Sequence, residues 1–214
     1  MRFFVTLRMT KEKLKMKLLI GTNNQHKVRE IREILDREFP GRFEIFTPTD
    51  VLNKSIDIEE TGCTLEENAF LKSSEFYSLT KIPSISDDTG LEIDAMKGEP
   101  GVNSARYSGE HGNDAENRKK VLNLLNGIPE ERRTARFRTV ICYIDEGKAE
   151  YIEGICSGKI IDEERGANGF GYDSIFVPDS FDKTFAEMSP EEKNLLSHRG
   201  KAVRNLVEFL KTIL

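Results

Sequence analysis

Lys17–Leu35 reads KLLIGTNNQHKVREIREIL. Its first six residues, Lys17–Thr22, have the look of a short buried strand. Val28, Ile31 and Leu35 then recur at helical spacing, with Lys, Arg and Glu between them. Asn23 or Asn24 stands where the helix needs a cap. A strand that runs straight into a helix opens an α/β unit. The turn between them, Thr22–Lys27, offers the N–H groups of a helix start and an early lysine, a pairing suited to an anion. It is not a Walker A loop, because GxxxxGK[ST] is absent.

Working outward, Phe43–Phe46 reads as a second strand. Thr64-Leu65-Glu66-Glu67 has the capping-box form and opens a helix to about Leu79. Pro83 breaks the chain, and Ser84–Ser86 leads into SISDDTGLEID, with Asp87 and Asp88 expected at a strand tip and Thr89-Gly90 as the turn. Lys97–Asn113 is a long Gly- and Pro-rich loop of the kind that is often functional. Asp114–Leu125 is helical, and Ala135–Ile144 with Glu150–Ile161 forms a hairpin around Gly147. Arg165–Val177, RGANGFGYDSIFV, ends in a strand. Ser189-Pro190-Glu191-Glu192 starts another helix. A final amphipathic helix carries Val203, Leu206, Leu210 and Ile213. Early strand–helix alternation followed by a hairpin predicts an α/β or α+β fold with a mixed sheet, and a cleft assembled from distant segments.

A chain of 214 residues has room for one sizeable domain or two lobes sharing a cleft. The net charge of −5 and the lack of a long Lys/Arg run argue against a nucleic-acid polymer as partner, so an anionic ligand must meet locally gathered cations. Cys63, Cys142 and Cys156 form no CxxC pair and read as thiols in a reducing, cytosolic setting. No window nears the ~18 apolar residues of a membrane helix. Residues 1–15 are expected to be an extension without a signal-peptide pattern, ahead of a single domain over 16–214.

Several residues could carry chemistry. Adjacent side chains of a strand point apart, so Asp87 and Asp88 share a ligand only if the backbone turns between them. There they suit Mg²⁺ or a water to be deprotonated; a charged Asx turn is the plainer reading. Glu59-Glu60 precedes a helix and could serve a metal or the helix dipole. Lys72 shares a stripe with Leu65, Ala69 and Phe76, so its ammonium either snorkels or meets a partner. Gly169-Phe170-Gly171-Tyr172-Asp173 offers rings for stacking a base, or a tight turn with both rings in the core. Lys193 and Ser197-His198-Arg199 could donate to a carbonyl or phosphate, or form a solvated helix end.

Taken in order, TNNQHKVREI, EETGCTLEENAFLK, SDDTGLEIDAMKGEPGVNSARYSG, GFGYDSIF and AEMSPEEKNLLSHRGKA resemble the motifs of the Ham1-like nucleoside triphosphate pyrophosphatases across Lys17–Leu214. Thr89 stands where Ser is common in that family, Leu65 where Phe is common, and Ser86 where Ala often precedes the two aspartates. None of these removes a group the chemistry needs. The resemblance implies an elongated, two-lobed α/β fold around a long twisted mixed sheet with a central cleft, and a homodimer. It implies Mg²⁺-dependent hydrolysis of the purine nucleotides ITP, dITP and XTP to monophosphate and pyrophosphate. By the same resemblance Asp88 is the base, and Glu59 and Asp88 hold Mg²⁺, with Glu60 and Asp87 as close alternatives. Thr22, Asn23, Asn24, Gln25, His26 and Lys27, with Lys72 and Thr89, become the triphosphate cradle. Phe170, Gly171, Tyr172 and Asp173 become the base and sugar wall, and Lys193, His198 and Arg199 the purine readers. Two other readings stay open: a metal-dependent hydrolase of modified pyrimidine or methylated nucleotides, and a nucleotide-binding protein without catalysis.

Overall fold

The computed structural model describes residues 15–110 and 112–214, without the His26 side chain. The expected extension therefore lies, up to residue 14, outside the described residues. The opening stretch forms strand β1, Met16–Ile20, and helix α1, Gln25–Glu38. Strand β2, Phe43–Phe46, returns beside β1, and the short helix α2, Pro48–Leu52, follows. Helix α3, Leu65–Thr80, is capped by Thr64, whose hydroxyl accepts from the Glu67 N–H at 3.1 Å. Glu67 closes back on the Cys63 N–H at 2.6 Å, one residue before the cap.

Strand β3, Ser84–Ile93, runs unbroken through both aspartates. The expected strand tip at Asp87-Asp88 and turn at Thr89-Gly90 are therefore corrected: all four residues pair with β5. Thr89 bonds across to Thr139, hydroxyl to hydroxyl, at 2.8 Å. Gly90 serves a close approach rather than a bend, since a Cβ there would lie 2.6 Å from the Gly101 carbonyl oxygen. Strand β4, Pro100–Gly101, helix α4, Asp114–Leu124, strands β5, Thr134–Asp145, β6, Lys148–Ile160, and β7, Phe176–Pro178, and helices α5, Pro190–Leu196, and α6, His198–Ile213, complete the chain.

One mixed sheet runs β2-β1-β3-β5-β6-β7, with β4 added to the edge of β3. β1, β2 and β3 are parallel, and the other pairs are antiparallel. β1 pairs with β3 only as far as Ile85, and β4 joins the same edge at Leu91 and Glu92. Between those points, among the described residues, that edge of β3 has no strand partner. The aspartates sit beside this gap.

The core divides accordingly. At one end α1 and α6 cover one face through Ile31, Leu35, Val203 and Leu206, packed on Ile20, Ile85 and Ile141. On the opposite face Leu65 and Ala69 of α3 pack on Val140 and Cys142. At the other end Leu91, Val121, Phe137, Phe176 and Phe185 form a second cluster. The final helix buries Val203, Leu206 and Leu210 as its spacing predicts, but Ile213 is exposed near the chain end.

Helix α6 lies so close to β6 that a Cβ at Gly154 would fall on the His198 carbonyl and the Ala202 amide. Gly154→Ala is expected to push α6 outward and to cost roughly 1–3 kcal/mol, the usual penalty for overpacking. Denaturant unfolding of the variant measures it, and a loss of activity larger than the loss of folded protein is the sign that Arg199 has moved with the helix.

Candidate active site

Strand alternation sends Asp87 and Asp88 to opposite faces of the sheet. On the α1–α6 face, Asn24 caps α1, its Oδ1 accepting from the Lys27 N–H at 3.3 Å. Thr22 Oγ1 accepts from the Asn24 N–H at 3.2 Å, and Asn23 donates to the Ile56 carbonyl at 2.9 Å. Gln25 begins the helix and is exposed; the His26 side chain lies outside the described residues. No acidic residue occupies the first turn of α1, so its positive end stays available to an anion.

Lys27 Nζ reaches Asp87 Oδ2 at 2.8 Å. Arg199, in the first turn of α6, places Nε 3.6 Å from the same oxygen and Nη1 2.8 Å from Glu30 Oε2. Burial alone would raise the Asp87 pKa, but Lys27 and Arg199 outweigh it and hold the carboxyl well below the ordinary range. Burial lowers the Lys27 pKa, with Asp87 opposing. Asp87 Oδ1 is buried with no hydrogen-bond partner. Thr89 adds a longer contact, 3.4 Å, to Asp87 Oδ2.

On the α3 face, Lys72 Nζ lies 2.6 Å from Glu60 Oε1 and 3.2 Å from Asp88 Oδ1. Asn68 donates to Asp88 Oδ2 at 3.2 Å while its own oxygen accepts from the Gly62 N–H at 2.8 Å. Burial raises the Asp88 pKa; Lys72 opposes this and Glu60 reinforces it. Burial opposes but does not prevent a lowered Glu60, which Lys72 holds charged. It is Glu60 that meets Lys72 beside Asp88, whereas Glu59 is exposed.

The glycine-rich segment lies beside Arg199. Lys193 Nζ contacts Asp173 Oδ2 at 2.6 Å and sits 4.7 Å from the Phe170 ring centre. Arg199 lies 5.6 Å from the same ring. Asp173 Oδ2 also accepts from the Phe170 N–H at 2.8 Å, and a side chain at Gly169 would collide with that carboxylate. The Gly171 N–H is taken by Asp114 at 2.7 Å. Phe170 is 40% exposed and faces a cavity of about 540 Å³, lined also by Glu30, Phe185, Lys193 and Asn194. Tyr172, expected in the wall, instead packs in the core, its hydroxyl donating to the Ser104 carbonyl at 2.8 Å.

Arg199 and His198 do not lie at a solvated helix end; both are buried. His198 stacks on Phe137 at 4.5 Å, and its Nδ1 has no hydrogen-bond partner. Burial, then the charges of Arg199 and Lys193, push its pKa well below the usual value, so the ring is neutral. Sequence reasoning does not single out Glu30 or Asn68. Asn68 is four residues before Lys72 on one helical stripe, and Glu30 three after Lys27, which is the signal that was there to use.

The class follows from this charge pattern. Cations converge on carboxylates at both faces of one strand edge, and Arg199 links them to a cavity with an exposed ring, an arrangement suited to a phosphorylated, ring-bearing ligand. The sequence model of the Ham1 family matches residues 18–209, and the chain belongs to that family. It is 45% identical to a dITP/XTP pyrophosphatase of Lactobacillus acidophilus, over 94% of this chain and 100% of that one. It is 43% identical to one of Thermoanaerobacter pseudethanolicus, over 91% and 96%. Among solved structures, the Staphylococcus aureus Ham1 protein superposes with a TM-score of 0.83 at 39% identity, covering 92% of this chain and 100% of that one. The mixed-sheet α/β fold expected from the motifs is the fold found.

The buried neutral imidazole has a consequence for stability. Unfolded, His198 takes up a proton as pH falls through about 6.5, while the folded protein does not. Stability is therefore expected to fall below that pH, by up to about 1.4 kcal/mol per pH unit. Denaturant midpoints between pH 7.5 and 5.5 for wild type and His198→Gln measure it: the wild-type slope should be steeper, and parallel slopes would show that the imidazole is protonated in the fold.

Proposed function

We propose that this protein hydrolyses ITP, dITP and XTP to the nucleoside monophosphate and pyrophosphate, removing deaminated purines from the nucleotide pool. One observation carries the reading: Asp88 with Lys72, and Asp87 with Lys27 and Arg199, flank one strand edge, and Arg199 also meets Glu30 and Phe170, which line the Phe170–Lys193 cavity. The names of the L. acidophilus and T. pseudethanolicus relatives agree with it.

The proposed chemistry is attack of water on the α-phosphorus, with Asp88 taking the proton. Asn68 and Lys72 hold the two oxygens of Asp88 and so fix its direction. Lys27 and the first N–H groups of α1, with Thr22–Gln25 and Thr89 around them, cradle the triphosphate. Phe170 takes the purine ring by stacking. Lys193 and Arg199, with the free His198 nitrogen, read its edge. Inosine and xanthosine carry an acceptor oxygen at C6, where adenine carries a donor. A donor-lined pocket leaves adenine's amino group unpaired, at roughly 1–3 kcal/mol per buried group.

Mg²⁺ suits the acidic side of this site. It is content with one or two carboxylates plus substrate phosphates and water, so the lack of a three-residue His/Cys/Asp/Glu cluster among the described residues is no obstacle. Asp88 and Glu60 would hold it, both being hard oxygen donors already side by side on Lys72; Glu59, the position first expected, is the less well placed of the adjacent pair. When bound, the ion would neutralise phosphate charge and polarise the phosphorus toward attack. The free thiols of Cys63, Cys142 and Cys156 fit a cytosolic enzyme, and the homodimer rests on the family resemblance.

Pyrophosphate release across a panel of ITP, dITP, XTP, GTP, ATP, dUTP and methylated nucleotides, with and without Mg²⁺, tests the proposal; turnover of pyrimidines with none of ITP would overturn it. Asp88→Asn is expected to cut kcat by roughly 10²–10⁴-fold while calorimetry still detects nucleotide binding. Near-normal turnover would remove Asp88 from the base role.

A further inference from the structure

The long Gly- and Pro-rich segment between β3 and α4 supplies none of the groups used so far, yet its middle is firmly held. Ser104 is buried; its Oγ accepts from the Leu91 N–H at 2.8 Å and donates to the Gly101 carbonyl at 2.6 Å. Its carbonyl accepts the Tyr172 hydroxyl. The Ala105 carbonyl accepts from the Gly112 N–H at 2.8 Å and from Asn117 Nδ2 at 3.3 Å. A single helical turn, Ser104–Arg106, is thereby tied to β3, to the glycine-rich segment and to α4.

The last residue of that turn points at the acidic side of the cleft. Arg106 Nη1 lies 3.7 Å from Glu60 Oε2, Nη2 donates to the Glu60 carbonyl at 3.4 Å, and Nε donates to Asn103 Oδ1 at 3.3 Å. The other Glu60 oxygen belongs to Lys72, which also holds Asp88. Arg106 is thus one carboxylate away from the proposed base. Its side chain keeps a third of its surface open, and its contacts to Glu60 are long. Lys27 and Lys72, by contrast, are engaged at 2.8 Å and 2.6 Å.

We propose that Arg106 binds the pyrophosphate half of the substrate and is a further catalytic residue. The inference rests on the hydrolase reading. In that step the water oxygen bonds to the α-phosphorus, the bond from α-phosphorus to the bridging oxygen breaks, and its electron pair leaves on pyrophosphate; the water proton goes to Asp88. Negative charge gathers on the leaving group as the bond breaks. A guanidinium fork held in place beforehand stabilises that charge without reorganising. Arginine suits this better than lysine, because its planar donors match two phosphate oxygens at once.

The test compares wild type with Arg106→Ala and Arg106→Lys. Calorimetry measures binding of pyrophosphate with Mg²⁺ and, separately, of dIMP; steady-state kinetics uses dITP. For Arg106→Ala the expected result is a roughly ten- to hundredfold loss of pyrophosphate affinity and of kcat/KM, with dIMP affinity within about twofold of wild type. Arg106→Lys, which keeps the charge and loses the fork, should fall between, and it decides the matter if the alanine variant does not fold. Equal weakening of both ligands, or unchanged pyrophosphate affinity with lost turnover, would make Arg106 a support for Glu60 and overturn the inference. If wild type hydrolyses no purine triphosphate, the hydrolase reading fails, while the two binding measurements still judge whether Arg106 holds pyrophosphate.

Discussion

Consecutive residues of an extended strand face opposite ways, and the whole site is organised around that constraint at Asp87 and Asp88. Two ionised carboxylates crowded onto one face would drive one pKa sharply upward. Alternation separates them, and each finds its own lysine from its own helix: Lys27 of α1 for Asp87, Lys72 of α3 for Asp88. The two then diverge. Asp87, with Lys27 and Arg199 against it, is held as an anion, while burial and the nearby Glu60 raise the Asp88 pKa against the pull of Lys72. Burying Asp87 is tolerable only while its cations stay, since a buried charge stripped of its partner is strongly destabilising. The seating of α1 and α6 on the sheet is therefore bound to the site's electrostatics as well as to their apolar faces.

Opposite faces would be useless to one ligand if the sheet were continuous. β1 ends at Ile20 and β4 joins only at Leu91, so among the described residues the strand carrying the aspartates has no strand partner on that edge between them, which is where one ligand could meet groups from both faces. The Phe170–Lys193 cavity opens on the α1–α6 side, and the Asp88–Lys72–Glu60 cluster lies on the α3 side. A ligand satisfying both must be long, with a flat ring at one end and its anionic, reactive part at the other. The proposed nucleoside triphosphate has that shape, whereas a free base or a nucleoside has only the ring end.

The local parts of this arrangement were legible in the residues. Apolar spacing placed α1 and α6, the Ser189 box opened α5, and Gly147 marked the hairpin, because each is decided within a few neighbouring residues. The strand through Asp87-Asp88-Thr89-Gly90 was misread as a tip because Thr-Gly after two aspartates has turn chemistry. What overrides it is a long-range fact, full pairing with β5 and a close pass by Gly101, which no local window contains. Glu59 and Glu60 are indistinguishable in sequence, and only the approach of Lys72 separates them. Tyr172 looked like Phe170 by its place between glycines, yet the cavity keeps one ring and the core takes the other.

The charges in the cleft are balanced before any ligand arrives. Lys27, Lys72, Arg106, Lys193 and Arg199 each contact one or more of Glu30, Glu60, Asp87, Asp88 and Asp173. A site with equal numbers of both signs gains little from a bare polyanion, because each phosphate oxygen must draw a cation away from a carboxylate that then lies buried and unpaired. The balance would be kept if a divalent cation entered with the phosphates: Glu60 and Asp88 would hold the cation, leaving the ammonium of Lys72 and the guanidinium of Arg106 to the phosphates. Charge balance in these residues thus supports the proposed use of a divalent cation, separately from any lowering of the chemical barrier. Among the described residues no three carboxylate, histidine or cysteine groups stand ready as a metal cage, and Glu60 and Asp88 are instead paired with Lys72.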